Sequence, residues 1–288
     1  MQLKDSGLEI PLAAIKEFGC SVSADLFLAS EIQAGTGLGS SASVCVGVLK
    51  TLATYLELET SKYELAERAY HIARNVLGKP VGKQDEYASA FGGLNYITFE
   101  RDGSTRVEPL SLRQNLVREF QSNLMLFYMG AAHNSWRLLQ EQEASTKKGK
   151  GAAIHSLHEI HSLADRMRIA LTEGDFRSFG AMLHEGWMAK KQISSLITNP
   201  AIDQAYEVAI HNGALGGKIT GAGGGGFLLL FCEEEHQNRV RSALSGQGIR
   251  EMGFELEFEG AHVLVSDPFI DEDEKCGMQW VFKSLETS

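Results

Sequence analysis

Three segments of this chain carry residue types suited to phosphate and proton chemistry. The run Gly35-Thr36-Gly37-Leu38-Gly39-Ser40-Ser41 precedes a helical pattern, so its backbone amides can converge on one anion at a helix N-terminus. Gly35, Gly37 and Gly39 permit tight curvature, and the hydroxyls of Ser40 and Ser41 are able to hold a phosphate oxygen or a magnesium ion. No Gly-Lys-Ser/Thr ending closes the run, so it is not a P-loop, and alone it reads equally as a serine-capped turn. A second run, Gly221-Ala222-Gly223-Gly224-Gly225-Gly226, leads into a strand and implies close approach of backbone to a ligand or another loop. Taken singly it is a β-bulge or a flexible turn. Asp85, in Gly82-Lys83-Gln84-Asp85-Glu86, can stay ionised beside a lysine and take a proton from a substrate hydroxyl, although a solvated loop aspartate is the plainer reading of that residue alone. Lys83 and Lys218 are further cations able to neutralise phosphate charge.

The elements that must hold these residues follow from periodicity. A short helix is expected over 10–18 and extended chain over 21–30, before the first glycine run. Val44, Val48, Leu49, Leu52 and Tyr55 recur at helical spacing from Ala42 to Leu56. Ser61-Lys62-Tyr63-Glu64 is a capping box opening a second helix that Gly78 and Pro80 stop. A loop over 81–93 then carries Asp85 to a strand over 94–99. Beyond a strand at 123–129, helices are expected near 152–173, 176–197 and 201–212, then the glycine-rich stretch 214–226 and a strand at 227–232. A helix near 233–246 and strands near 253–258 and 261–266 complete an α+β order, and the acidic run Asp271-Glu272-Asp273-Glu274 reads as solvated tail.

Composition narrows the function classes. With 43% hydrophobic and 22% charged residues in 288, the chain is ordinary globular material, able to form one large domain or two small ones sharing a cleft. A formal charge of -10 opposes binding along a nucleic-acid backbone while leaving a local anion site open. Cys20, Cys45, Cys232 and Cys276 are far apart, without a CxxC pair, and read as reduced thiols. Neither a signal peptide nor a membrane-length apolar run is evident, so a cytoplasmic location is expected. His155, His158 and His161 with Glu159 share a helix face compatible with metal, and a solvated face is preferred. Trp136, Trp187 and Trp280 read as packing residues, and no Gly-x-Ser-x-Gly elbow is present.

The segment from Gly35 to Ser43 resembles the second motif of the GHMP kinases, the superfamily of galactokinase, homoserine kinase, mevalonate kinase and phosphomevalonate kinase. Lys218-Ile219-Thr220-Gly221-Ala222-Gly223-Gly224-Gly225-Gly226-Phe227 resembles its third motif. Within the superfamily, residues 78–88 and 184–227 are most similar to D-glycero-D-manno-heptose 7-phosphate kinases, and the likeness runs from residue 8 to 268. It implies a two-lobed α+β fold: a ribosomal protein S5 domain 2-like N-terminal lobe over 1–120, incomplete at its start, and a ferredoxin-like C-terminal lobe over 121–288. It also implies ATP and Mg2+ as cofactors, with Gly35, Thr36, Gly37, Leu38, Gly39, Ser40 and Ser41 cradling the ATP phosphates and Ser41 touching magnesium. By the same resemblance Asp85 takes the proton of a sugar hydroxyl, while Lys83, Gly221, Ala222, Gly223 and Gly224 support the loop and border the substrate. The implied reaction moves the γ-phosphoryl group of ATP to the anomeric hydroxyl of a heptose 7-phosphate, with small-molecule partners and neither nucleic acid nor membrane.

Some positions depart from the family pattern. Its first motif, an N-terminal strand with Pro, Arg and a Gly-Gly-x-x-Asp turn, has no counterpart in this sequence, an absence expected to leave a sheet edge exposed. Ala73 stands where the family carries a metal-binding glutamate, and Glu67 and Glu86 are the carboxylates able to stand in. His133 replaces a common arginine and Gln33 a common proline. These departures support a second reading, an N-terminally shortened, weakly active or inactive relative that binds nucleotide or a partner. A decarboxylase of the mevalonate branch is a weaker third, because the local similarity follows the heptose kinases.

Overall fold

The computed structural model describes residues 8–19, 25–33, 35–130, 135–147 and 151–265. Helix α1 (Glu9–Glu17) and helix α2 (Ser40–Tyr55) pack together, α2 burying Ala42, Cys45, Val46, Val48, Leu49, Leu52 and Ala53. The expected capping box starts α3 (Lys62–His71): the Ser61 hydroxyl accepts from the Glu64 amide while the Glu64 carboxylate accepts from the Ser61 amide. Ile72–Val76 continues α3 as a π-helical turn that contains Ala73. These helices close one core, with Leu65, Ala69, Ile72 and Tyr87 among its buried members.

The segment read as a loop contains a helix, α4 (Gln84–Phe91), with Asp85 in its first turn. Two acidic residues at its N-terminus favour the helix dipole, and Gly92 ends it at φ 64°. Strands β1 (Asn95–Phe99) and β2 (Thr105–Pro109) form an antiparallel hairpin, followed by α5 (Gln114–Ser122).

Beyond it come β3 (Leu124–Tyr128), α6 (Ser135–Lys147), α7 (Gly151–Glu173), α8 (Phe176–Lys191), α9 (Pro200–His211), β4 (Ala214–Ile219), β5 (Phe227–Cys232), α10 (Glu234–Ser245) and β6 (Arg250–Met252). The strands make an antiparallel sheet in the order β4-β5-β3-β6, that of a ferredoxin-like lobe. Asn199 caps α9, its side chain accepting from the Ile202 amide, with Pro200 at the first helical position. Strand β4 is hidden in the sequence by its glycines, which sterics require. A Cβ on Gly216 would overlap the Gly180 carbonyl oxygen of α8, so the missing side chain is what lets that helix lie on the sheet. Met125, Phe127, Trp187, Ile202, Ile219, Leu228 and Leu230 form the core beneath.

The strands expected at 253–258 and 261–266 are not formed; residues 253–265 follow β6 as irregular chain. Two of their amides are satisfied within the segment, where the Glu257 carboxylate accepts from the amides of Glu259 and Gly260, both at 2.6 Å. This segment returns to the N-terminal helices, where Lys62 Nζ donates to the carbonyls of Glu259 (2.7 Å) and Phe91 (3.0 Å). The stretch from Glu257 to Ala261 thus lies against the N-terminal helices although it falls after position 121, while Leu256 packs with Phe120 of α5.

Cys45 and Cys232 are free and buried, whereas Cys20 and Cys276 lie outside the described residues. Trp187 is a core residue, and His155, His158 and His161 belong to no metal-ligand cluster among the described residues. Within those residues no helix is long and apolar enough to cross a membrane.

Candidate active site

The two glycine-rich loops meet. Gly35, Gly37 and Gly39 have φ values of 82°, 81° and 71°, where a side chain would strain the backbone. A Cβ on Gly221 would lie 2.7 Å from Gly37 Cα, and one on Gly37 would lie 2.7 Å from the Thr220 carbonyl oxygen. A Cβ on Gly226 would overlap the Thr36 carbonyl, so Thr36 is buried beneath the second loop, its Oγ1 donating to the Gln33 carbonyl at 2.9 Å. The back of the second loop is tied to its own lobe. The Gly224 amide donates to the Ile197 carbonyl (2.8 Å) and Gln142 Nε2 to that of Ala222 (3.3 Å). Gly39 is the N-cap of α2, and no side chain caps that end, which leaves first-turn amides available beside Ser40 and Ser41.

Asp85 reaches the same place from α4: a Cβ on Gly39 would lie 3.6 Å from both Cβ and Cγ of Asp85. Burial by the surrounding chain raises its carboxyl above the usual carboxylate range, and the charges of Lys218 and Lys190 oppose that rise. Lys218 is itself held below the ordinary lysine range by burial, with Asp85 acting against the shift. Lys190 Nζ donates to the Gly221 carbonyl at 2.6 Å, and burial, then the charge of Lys218, push it down to about 7. The structure thus brings together residues 35–41, Asp85, the Gly221–Gly224 loop and Lys218, and adds Lys190, which the sequence reading missed. One signal was available: Leu183, Trp187 and Lys190 follow at helical spacing, so this lysine continues the inward stripe of α8.

Other expected residues are engaged elsewhere. Lys83 Nζ is bound by Glu67 Oε1 (2.7 Å) and the Gly103 carbonyl (2.7 Å), and it sits 5.3 Å from the Tyr70 ring centre. Glu67 Oε1 also accepts from the Tyr87 hydroxyl at 2.5 Å, so this carboxylate is committed to a structural cluster. Glu86 is only 4% exposed, and its Oε2 has no hydrogen-bond partner among the described residues. Burial and then the Asp85 charge push its carboxyl up to about 7. Neither acid therefore presents a free carboxylate to the phosphate loop, and His133 lies outside the described residues.

The chain is similar to several known proteins. A D-glycero-alpha-D-manno-heptose 7-phosphate kinase of Campylobacter jejuni is 33% identical over 229 residues, which cover 80% of this chain and 66% of that one, just under two thirds of the relative's length. The crystal structure of a D-glycero-D-manno-heptose 1-phosphate kinase from Bacteriodes thetaiotaomicron superposes with a TM-score of 0.71 at 29% identity, covering 91% of this chain and 76% of that one. Lactococcus lactis galactokinase, at 18% identity and a TM-score of 0.66 over 91% of this chain and 76% of its own, shares the fold. The GHMP kinases N terminal domain matches residues 9–93 and the GHMP kinases C terminal region matches 167–250, so the two halves of one family's fold are both present and the chain belongs to the GHMP kinases.

Proposed function

We propose that this chain is an ATP-dependent sugar kinase that phosphorylates the anomeric hydroxyl of a heptose 7-phosphate. The observation that carries the reading is the placement of Asp85 against Gly39, where an acceptor hydroxyl and a bound γ-phosphate can be held side by side. The uncapped amides at the start of α2 and the hydroxyls of Ser40 and Ser41 hold the phosphates, and the adjoining groove offers Leu38, Val44 and Val48 as apolar walls for the nucleoside. Asp85 accepts a hydrogen bond from the sugar hydroxyl and takes its proton as the oxygen attacks phosphorus. The bond from the γ-phosphorus to the bridging oxygen breaks, its electron pair stays with ADP, and the new phosphorus–oxygen bond completes the transfer. Lys218 favours the charged form of Asp85 and so keeps it ready to take that proton.

The donors present fit magnesium. The hydroxyls of Ser40 and Ser41 at the uncapped start of α2 would hold the ion, with nucleotide phosphates and water completing its oxygen shell and the Asp85 carboxylate nearby. When bound, the ion neutralises charge on the nucleotide phosphates. The comparisons hold nothing that favours the inactive alternative. Small-molecule substrates and a cytoplasmic location complete the proposal. The test is magnesium-dependent ADP release with a panel of heptose 7-phosphates, heptose 1-phosphates and unphosphorylated sugars. Turnover confined to the heptose 7-phosphates supports the assignment; turnover only with other sugars keeps the kinase and removes the substrate.

A further inference from the structure

We propose that Lys190 is the cation that meets the transferring phosphoryl group, while Lys218 serves Asp85. This assignment deepens the kinase reading and rests on it. Lys190 stands in the last turn of α8, and its ammonium is fixed on the Gly221 carbonyl, at the seam where Gly221 packs on Gly37. It therefore sits beside the phosphate loop without belonging to it.

The groups facing it are Lys218 and Asp85. Two lysines face one carboxylate, and the pairing is uneven. Of the two lysines Lys218 acts on Asp85 more strongly, and Asp85 in turn favours the charged form of Lys218. Lys190 feels Lys218 first and Asp85 second. Among the described residues no carboxylate lies within ion-pair distance of Lys190 Nζ, and its carbonyl partner uses one of the three N–H groups an ammonium carries. A lysine with free donors, placed beside a second lysine where two phosphate-binding elements meet, takes up its full charge when an anion arrives there. Phosphoryl transfer spreads charge over the oxygens of the moving group, and a compact ammonium can follow them from donor to acceptor. The same chemistry fits the acceptor's own phosphate, and affinities separate the two sources.

The experiment measures dissociation constants of ADP, of a β,γ-imido analogue of ATP, and of heptose 7-phosphate, all with Mg2+, for the wild type, Lys190→Gln and Lys190→Arg. Lys190→Gln is expected to weaken the triphosphate analogue by roughly 10- to 100-fold. ADP and the sugar phosphate should change less than about threefold, and Lys190→Arg should restore most of the lost affinity. An equal loss for ADP and the analogue, a loss confined to heptose 7-phosphate, or no loss at all overturns the assignment alone. A wild type that binds neither nucleotide overturns the kinase reading and this assignment together.

Discussion

Asp85 and Glu86 are neighbours in the first turn of α4, and the two sides of that helix treat their carboxylates in opposite ways. Asp85 opens onto the meeting of the glycine loops with two lysines acting on it, whereas Glu86 turns into the N-terminal core with one oxygen unpartnered. Both are raised above the usual range, but for Asp85 the opposing lysines limit the rise, and for Glu86 the charge of Asp85 adds to it. A perturbed carboxylate is therefore no evidence of function by itself. What separates the two is what each one faces.

The contrast can be broken most forcefully at the loops. Gly226→Ala places a methyl group on the Thr36 carbonyl at a φ of 91°, and a loss of roughly 2–5 kcal/mol in urea unfolding is expected from overlap and strain together. Unchanged stability would show that the two loops do not depend on each other.

The core side of α4 offers a second test. Below pH 4.5 Glu86 is protonated in both folded and unfolded chains and has no ionisation cost. Between 4.5 and about 7 the unfolded chain releases its proton first, so folding stability falls as pH rises, and above about 7 the whole penalty is present. Glu86→Gln removes that dependence. The variant should gain on the wild type steadily across this window, reaching roughly 2–3 kcal/mol at its upper end in a series of urea titrations. A constant difference across the window would place the carboxylate in a polar setting.

On the cleft side the smallest effect is the most specific. Lys218→Met removes a charge that favours ionised Asp85, so the Asp85 pKa rises further and the acid limb of kcat/KM moves to higher pH. Turnover at neutral pH should fall by roughly tenfold. A limb that stays in place would separate Lys218 from Asp85.

Much of this site was legible in the sequence because its chemistry demands unusual residues. Positive φ at Gly35, Gly37 and Gly39 and the backbone-on-backbone contact of Gly221 with Gly37 exclude side chains, so they leave glycine runs that stand out from ordinary turns. Lys190 left a fainter trace, since a lysine in the last turn of a helix is ordinary and only its alignment with Leu183 and Trp187 marks it as inward-facing. Helix α4 was hidden by its length of eight residues, too short for a clear period, and β4 by Gly216, whose missing side chain lets α8 lie on the sheet, and Gly217, where a Cβ would meet Leu229 and Leu230 of β5. Lys83 misled for the opposite reason. Its place beside Asp85 in the chain suggested a shared role, but helix geometry sends it to Glu67 and Gly103 instead.

The most direct measurement compares magnesium-dependent phosphorylation of heptose 7-phosphate by the wild type, Asp85→Asn and Glu86→Gln, with ADP affinity determined for each. Asp85→Asn is expected to lower kcat by about 10²–10⁴ with ADP binding intact, while Glu86→Gln stays within about threefold of the wild type. Equal rates for the wild type and Asp85→Asn would contradict the placement of the reaction at the meeting of the two glycine loops.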